Sequence, residues 1–466
     1  MRKNWKEIRQ WFSSKGLEPE ELGLRHLVPT MFLERMLQST VSLVNVAFLS
    51  RISDNVVSAV SISSQYIQIC QTIATAVATG TIVCINQAIG MHNGERVERM
   101  SNVAIASNAV LGLIFGLFFF FFADPFLSIM QISEDSLESA AVYMRIVGGT
   151  MVFQCMQLIM GNISRSKGLV KAPLIVNLCI NAVNILGCAI VVYCPEILPF
   201  NAITGVAVAN ALSQFIGMMI ALCMMNSCGV HIRPSVLKPF PWEDLRLSLS
   251  IGIPGGITNV AYGSSQLVST AIIAMTGEIN VAAKVYVTNI VHYVALLGMS
   301  CGAAATIMIG YRLGAGKYDE VMELRRRVTR IALISNIACS LLLMTVRRQL
   351  IGFFTDNEEI IAIASTVMVL DLFVEIGRAL NNTLSGSLQA TGDVMFQLVV
   401  NQASAWLISV GMSYVLGVYM GFGLYGVWVA FAMDELTRGL ILLWRWNSKR
   451  WMPRAEKNRM AVASNM

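Results

Sequence analysis

The chain alternates long apolar stretches with short polar breaks. The apolar stretches cover 27–50, 57–89, 101–123, 138–162, 172–194 and 202–227, then 247–275, 285–311, 328–354, 361–388, 396–419 and 422–446. A hydrocarbon layer about 30 Å thick is crossed by ~20 apolar residues in helical conformation. Each stretch therefore predicts a membrane-spanning α-helix. The tenth breaks the apolar pattern in an ordered way: Asp371, Glu375, Arg378, Asn382, Ser385 and Gln389 recur at intervals of 4 and 3, which sets all six on one helical face. The rest of that helix, Leu372, Phe373, Val374, Ile376, Leu380 and Leu384 among others, is apolar.

Composition agrees with the pattern. The chain is 55% hydrophobic and 13% charged, against roughly 25% charged residues in a soluble domain. With the N-terminus placed in the cytoplasm, and residues at span ends counted with the adjoining side, 26 of the 34 Lys and Arg residues fall on that side, 4 on the other and 4 deeper within spans. That bias predicts that both termini are cytoplasmic, and it explains the net charge of +6 as a topology signal, with no call for nucleic acid. Residues 1–24 are too charged for a signal peptide. Trp5, Ile8 and Phe12 share a face opposite Lys3, Lys6 and Arg9, which predicts a helix lying on the membrane surface. The ten cysteines are scattered, mostly in spans, without C-x-x-C spacing, and are read as packing residues.

The second half of the chain answers the first at an offset of 224. Val57 pairs with Val281, Ile85 with Ile309, Gly90 with Gly314, Gly168 with Gly392, Asn177 with Asn401 and Gly187 with Gly411. An even number of spans per half makes the halves parallel repeats, an arrangement used by transporters. The expected organisation is a surface helix at 1–24, a six-helix bundle at 25–227, a Pro-rich cytoplasmic linker at 228–246, a second bundle at 247–447 and a basic cytoplasmic tail at 448–466. The fold class is thus an all-α polytopic membrane protein, with twelve transmembrane helices in two parallel six-helix repeats and a cleft expected between them.

Several stretches carry a family resemblance. They are Pro29 with Ser42-Leu43-Val44-Asn45; Gln87-Ala88-Ile89-Gly90 with Glu95-Arg96; Arg312-Leu313-Gly314-Ala315-Gly316; Ser385-Gly386-Ser387-Leu388-Gln389-Ala390-Thr391-Gly392-Asp393; and the ending Arg445-Trp446-Asn447-Ser448-Lys449-Arg450-Trp451. In order and spacing they resemble the multidrug and toxic compound extrusion (MATE) family over roughly 25–450. The resemblance implies a plasma (inner) membrane antiporter that exports small organic compounds, often cationic or amphiphilic, in exchange for H⁺ or Na⁺. The expected partners are such a solute and membrane lipid. No cofactor is expected beyond the coupling ion, and the expected state is a monomer.

The chain departs from the family where many relatives carry acids: Asn45 in the first span, Cys188 four residues after Asn184, and Tyr262 eight past Pro254. Asn181 and Asn184 remain, and Glu34 is the acid left in the first span. The coupling charge is accordingly sought on the tenth span. Asp371 lies about eleven residues in, ~16 Å at 1.5 Å per residue, near mid-membrane. Glu375 and Arg378 are spaced to pair, with Asn382 one turn on; intramembrane charges of this kind usually face a cavity or a partner. A structural salt bridge is the competing reading. Asp434 with Arg438 reads as a structural pair, and His292 is either a proton carrier or a packing residue. The chain has no G-x-x-x-x-G-K-[ST] for an ATP-driven pump and no clustered catalytic groups for an enzyme. The alternative is a lipid-linked sugar flippase of the same superfamily.

Overall fold

The computed structural model describes residues 23–50, 54–128, 134–194 and 201–463. The surface helix expected over 1–24 lies almost wholly outside the described residues, as does most of the 194–200 loop. The first repeat contains α1 (Leu24–Leu49), α2 (Asp54–Gly90), α3 (Gly94–Ser128), α4 (Glu134–Tyr143), α5 (Met151–Ser166), α6 (Ala172–Tyr193) and α7 (Ala202–Ser227). The second contains α8 (Trp242–Ala274), α9 (Glu278–Gly314), α10 (Tyr318–Thr345), α11 (Arg347–Gly352), α12 (Glu358–Thr391), α13 (Val394–Ser404), α14 (Gly423–Asn447) and α15 (Met452–Ala463). Every expected span is answered by helical structure, not always as one unbroken helix. Among the described residues eight helical stretches are each long and apolar enough to cross a membrane, one of them running from α13 through π-helical turns to Tyr419, and nine spans result if the bent α4–α5 pair counts as one. α14 falls short of that test because Asp434, Glu435 and Arg438 interrupt its apolar run. Large side chains such as Phe120, Phe121, Leu186 and Leu267 are exposed, as they must be where hydrocarbon replaces water.

The repeat is visible in the helix boundaries. α2 and α9 are both 37 residues long and begin 224 residues apart, at Asp54 and Glu278. The fourth element differs between repeats. In the second, α12 runs unbroken for 34 residues, with Asn357 Oδ1 accepting from the backbone N–H of Glu359 at its start and Gly392, at φ +78°, ending it. In the first, a π-helical turn at Met144–Gly148 leads to Thr150, and the halves bend by 42°. The cause is local. Gly148-Gly149-Thr150 stands where α12 has Leu372-Phe373-Val374, and a Cβ on Gly148 would meet the Phe119 ring at 2.8 Å. A close helix contact there leaves no room for a side chain, and the π-helical turn with its glycine pair is where the helix bends.

One expectation needs correction, and another gains detail. The span at 328–354 is not one helix: α10 stops at Thr345, and Val346, at φ −113° and ψ 14°, separates it from the short α11. The expected tail, over its described residues to 463, carries the helix α15. Trp446 and Trp451 stack with ring centroids 4.5 Å apart and are both fully buried. Asp393, also fully buried, accepts from Arg445 Nε at 2.8 Å and from Arg454 of α15.

The chain divides into two compact units. One comprises Leu33–Ile85 and Asn93–Ile253; the other comprises Gly23–Phe32, Asn86–His92 and Pro254–Met466. In unit 1 a core of Phe119, Leu127, Tyr143, Met144, Met151 and Cys155 joins α3, α4, the turn that follows it and α5. Asp244 at the start of α8 is buried against Arg96 at 2.6 Å and Arg99 at 3.1 Å. In unit 2, α12 packs against α9, α10 and α14, around Val287, Ala364, Val367, Val374 and Trp428.

Also in unit 2, the end of α2 crosses the end of α9 with repeat symmetry. A Cβ on Gly90 would run into the Tyr311 carbonyl oxygen, and one on Gly314 into that of Gln87. Gln87 and Tyr311, like Gly90 and Gly314, are 224 residues apart. Small residues at such crossings let membrane helices pack backbone to backbone. We predict that Gly314→Ala destabilises the purified protein by about 1–3 kcal/mol, the usual cost of overpacking. Gly352→Ala, where a Cβ meets nothing within 4 Å, leaves the melting temperature unchanged. Equal melting temperatures for the two variants would show that the crossing tolerates a side chain.

Candidate functional site

The predicted site residues fall into two groups, one in each unit. In unit 2 the polar face of α12 meets a second set of charges from α14. Glu375, fully buried, accepts from Asn336 Nδ2 of α10 at 3.0 Å on Oε2 and pairs with Arg378 through Oε1. The Arg378 Nε also stands 4.0 Å from Glu435 Oε1. Glu435 accepts from Asn381 Nδ2 at 2.9 Å and is held by Arg438 at 2.9 Å. Arg438 completes the chain of contacts at Asp434, 2.6 Å away. Asp371 sits to one side, buried, accepting from the Trp428 indole at 3.0 Å. Tyr262 of α8 lies beneath Arg438, whose guanidinium carbon is 5.3 Å from the ring centroid. Asn382 lies near Gly298 of α9, and its buried Nδ2 has no hydrogen-bond partner among the described residues.

This cluster is larger than the sequence reading allowed. α12 contributes two acids and one base, and α14 adds Asp434, Glu435 and Arg438. With all six groups ionised, four carboxylates face two guanidinium groups. Taking several charges out of water is costly unless each is paired and hydrogen-bonded. Here every carboxylate has a partner, yet negative charge remains in excess. Asp434 and Arg438 do pair as expected, but they belong to the same network as Glu375. Glu435 was legible as the i, i+3 partner of Arg438; its reach across to Arg378 was not, because that depends on how α12 and α14 pack.

The first-half candidates gather elsewhere, in unit 1. Glu34 of α1 pairs with Arg165 of α5 through Oε2 and accepts from Asn177 Nδ2 of α6 at 3.1 Å on Oε1. Asn181 and Glu34 line a cavity of about 450 Å³ together with Gln38, Gln71, Gln154 and Gln214. Asn184 lies deeper, buried, with its Oδ1 3.9 Å from Cys188 Sγ, so the position where an acid was missed is occupied by a thiol one helical turn away. The side chain of Asn45 lies outside the described residues. The glutamines were the missed signal: amide groups inside apolar spans mark a lined cavity as much as charges do.

Three comparisons with known proteins bear on this arrangement. The sequence profile of the MatE family matches residues 30–190 and 254–415, one copy in each repeat. Over 424 residues the chain is 31% identical to an uncharacterized transporter, YisQ, of Bacillus subtilis, covering 91% of this chain and 93% of that one. It is 24% identical over 437 residues to the probable multidrug resistance protein NorM of Thermotoga maritima, covering 92% of each. Among solved structures, a MATE protein in its bent conformation superposes with a TM-score of 0.85 at 18% identity, over 95% of this chain and 97% of that one. The fold is therefore that of twelve transmembrane helices in two repeats.

The pairing around Arg378 makes a stability prediction. Removing one partner of a buried ion pair leaves a bare charge and typically costs about 3–5 kcal/mol. Arg378→Met should destabilise the purified protein by about that amount in denaturant unfolding, and adding Glu375→Gln to it should recover part of the loss. Additive losses in the double variant would mean that the two groups do not depend on each other.

Proposed function

We propose, because this chain belongs to the MatE family of multi-pass membrane transporters, that it is a secondary antiporter exporting small organic compounds, cationic or amphiphilic, in exchange for H⁺ or Na⁺. It is a transporter and not an enzyme. In this reading it resides in the plasma (inner) membrane, with both termini and the 228–246 linker on the cytoplasmic side, where the basic loops place them.

One observation carries the coupling assignment. Glu375 is fully buried, and the guanidinium that neutralises it stands between Glu375 and Glu435. Arg378 can therefore satisfy one carboxylate while the other takes up a proton or Na⁺, without leaving a bare charge in hydrocarbon. A cationic solute attracted to the same excess of negative charge competes with the ion, and competition of that kind is what exchange requires. Asp371, fixed by Trp428, adds to the field, and Asn382, about three turns further along α12, supplies an uncommitted donor. The flippase alternative is not favoured. Arg165, Arg378 and Arg438 are each already engaged by a carboxylate, so a pyrophosphate would have to displace one.

The test is dye transport in inverted vesicles under separately imposed pH and sodium gradients. Glu375→Gln is expected to abolish gradient-driven transport while dye binding survives in part; Glu34→Gln and Asn45→Ala should have milder effects. Normal transport by Glu375→Gln together with loss in Glu34→Gln would move coupling to the first repeat and overturn the assignment.

A further inference from the structure

The cavity of unit 1 is built from different chemistry. Eight of its seventeen lining residues are Gln or Asn, and of the described lining residues only Glu34 carries a formal charge and none is aromatic. Small-molecule sites are more often lined by apolar and aromatic side chains with a few polar groups. The Glu34 carboxylate is already neutralised by Arg165, and Asn177 donates to its other oxygen. An entering cation would have to displace Arg165. It would also find no aromatic face to stack on among the described lining residues.

What the walls do offer is hydrogen bonding of both kinds. Each amide presents an acceptor oxygen and two N–H donors, and they come from several helices: Gln71 of α2, Gln154 and Gln157 of α5, and Gln214 of α7. Gln71 donates to Gln154, which fixes the two against each other, and Gln214 keeps a buried Oε1 without a partner among the described residues. Buried polar atoms left unmatched cost free energy that a matching ligand recovers. We propose that this cavity is a recognition site for an uncharged solute bearing several hydroxyl or amide groups. The site rests on the transporter reading only for its use as a substrate site; its ligand chemistry follows from the walls alone.

The probes are a matched pair on one skeleton, neutral N,N′-diacetylchitobiose and its doubly cationic parent chitobiose. Each is radiolabelled and titrated against the full-length protein in nanodiscs without any ion gradient. The neutral probe should bind saturably, and Gln154→Leu and Gln157→Leu should each weaken it about ten-fold, the effect of losing one well-placed hydrogen bond. Binding of the cationic probe, if present, should be insensitive to both substitutions. The proposal is overturned if the neutral probe does not bind, if neither substitution weakens it, or if the cation binds as tightly with the same dependence on Gln154. Two substitutions guard against one variant failing to fold, which size-exclusion elution would reveal. Neutral binding with no gradient-driven transport of any solute would sink the transporter reading and leave this site standing; the reverse result would do the opposite.

Discussion

A charge inside hydrocarbon has to be matched by neighbours, since no water is there to do it, and in unit 2 that requirement binds four helices into one network. Glu375 reaches α10 through Asn336, Arg378 reaches α14 through Glu435, and Arg438 lies over Tyr262 of α8. None of these groups can move alone without exposing another. An arrangement in which one guanidinium stands between two carboxylates ties α12 to α14, and in the coupling we propose the same contacts are exchanged when a proton or a cation arrives. This is why the structural and functional readings of α12 need not compete.

The two repeats use their shared topology differently. Where α2 and α9 cross, Gly90 and Gly314 face each other's repeat-related backbone, and the symmetry is kept. At the fourth element it is lost: the first-repeat helix bends at Gly148-Gly149-Thr150, whereas α12 runs unbroken through the corresponding Leu372-Phe373-Val374. The polar chemistry diverges in parallel. Unit 2 concentrates charge on a straight helix, while unit 1 surrounds a cavity with amides and neutralises its one lining carboxylate.

Much of this was legible in the sequence. Helix positions followed from apolar run length, the repeat from the 224-residue offset, and the polar face of α12 from its 4-3-4-3-4 spacing, because each depends on local pattern alone. The contacts that complete the site were not legible. Glu435 and Asn336 lie 60 and 39 residues from Glu375, and periodicity carries no information about which helix faces are brought together. The break at Val346 and the folded tail were missed for a related reason: a short helix such as α15, held by Asp393 and the Trp446–Trp451 stack, owes its order to tertiary contacts and not to its own composition.

The claim on which the account turns is that substrate and coupling ion compete for one buried charge, that of Glu375. Equilibrium binding of tetraphenylphosphonium to the purified protein, titrated at a series of pH values and again at a series of Na⁺ concentrations, measures that competition directly. The account predicts that raising either H⁺ or Na⁺ weakens binding of the cation in the wild-type protein, and that Glu375→Gln removes the dependence. An unchanged dependence in Glu375→Gln, or none in the wild type, would contradict it.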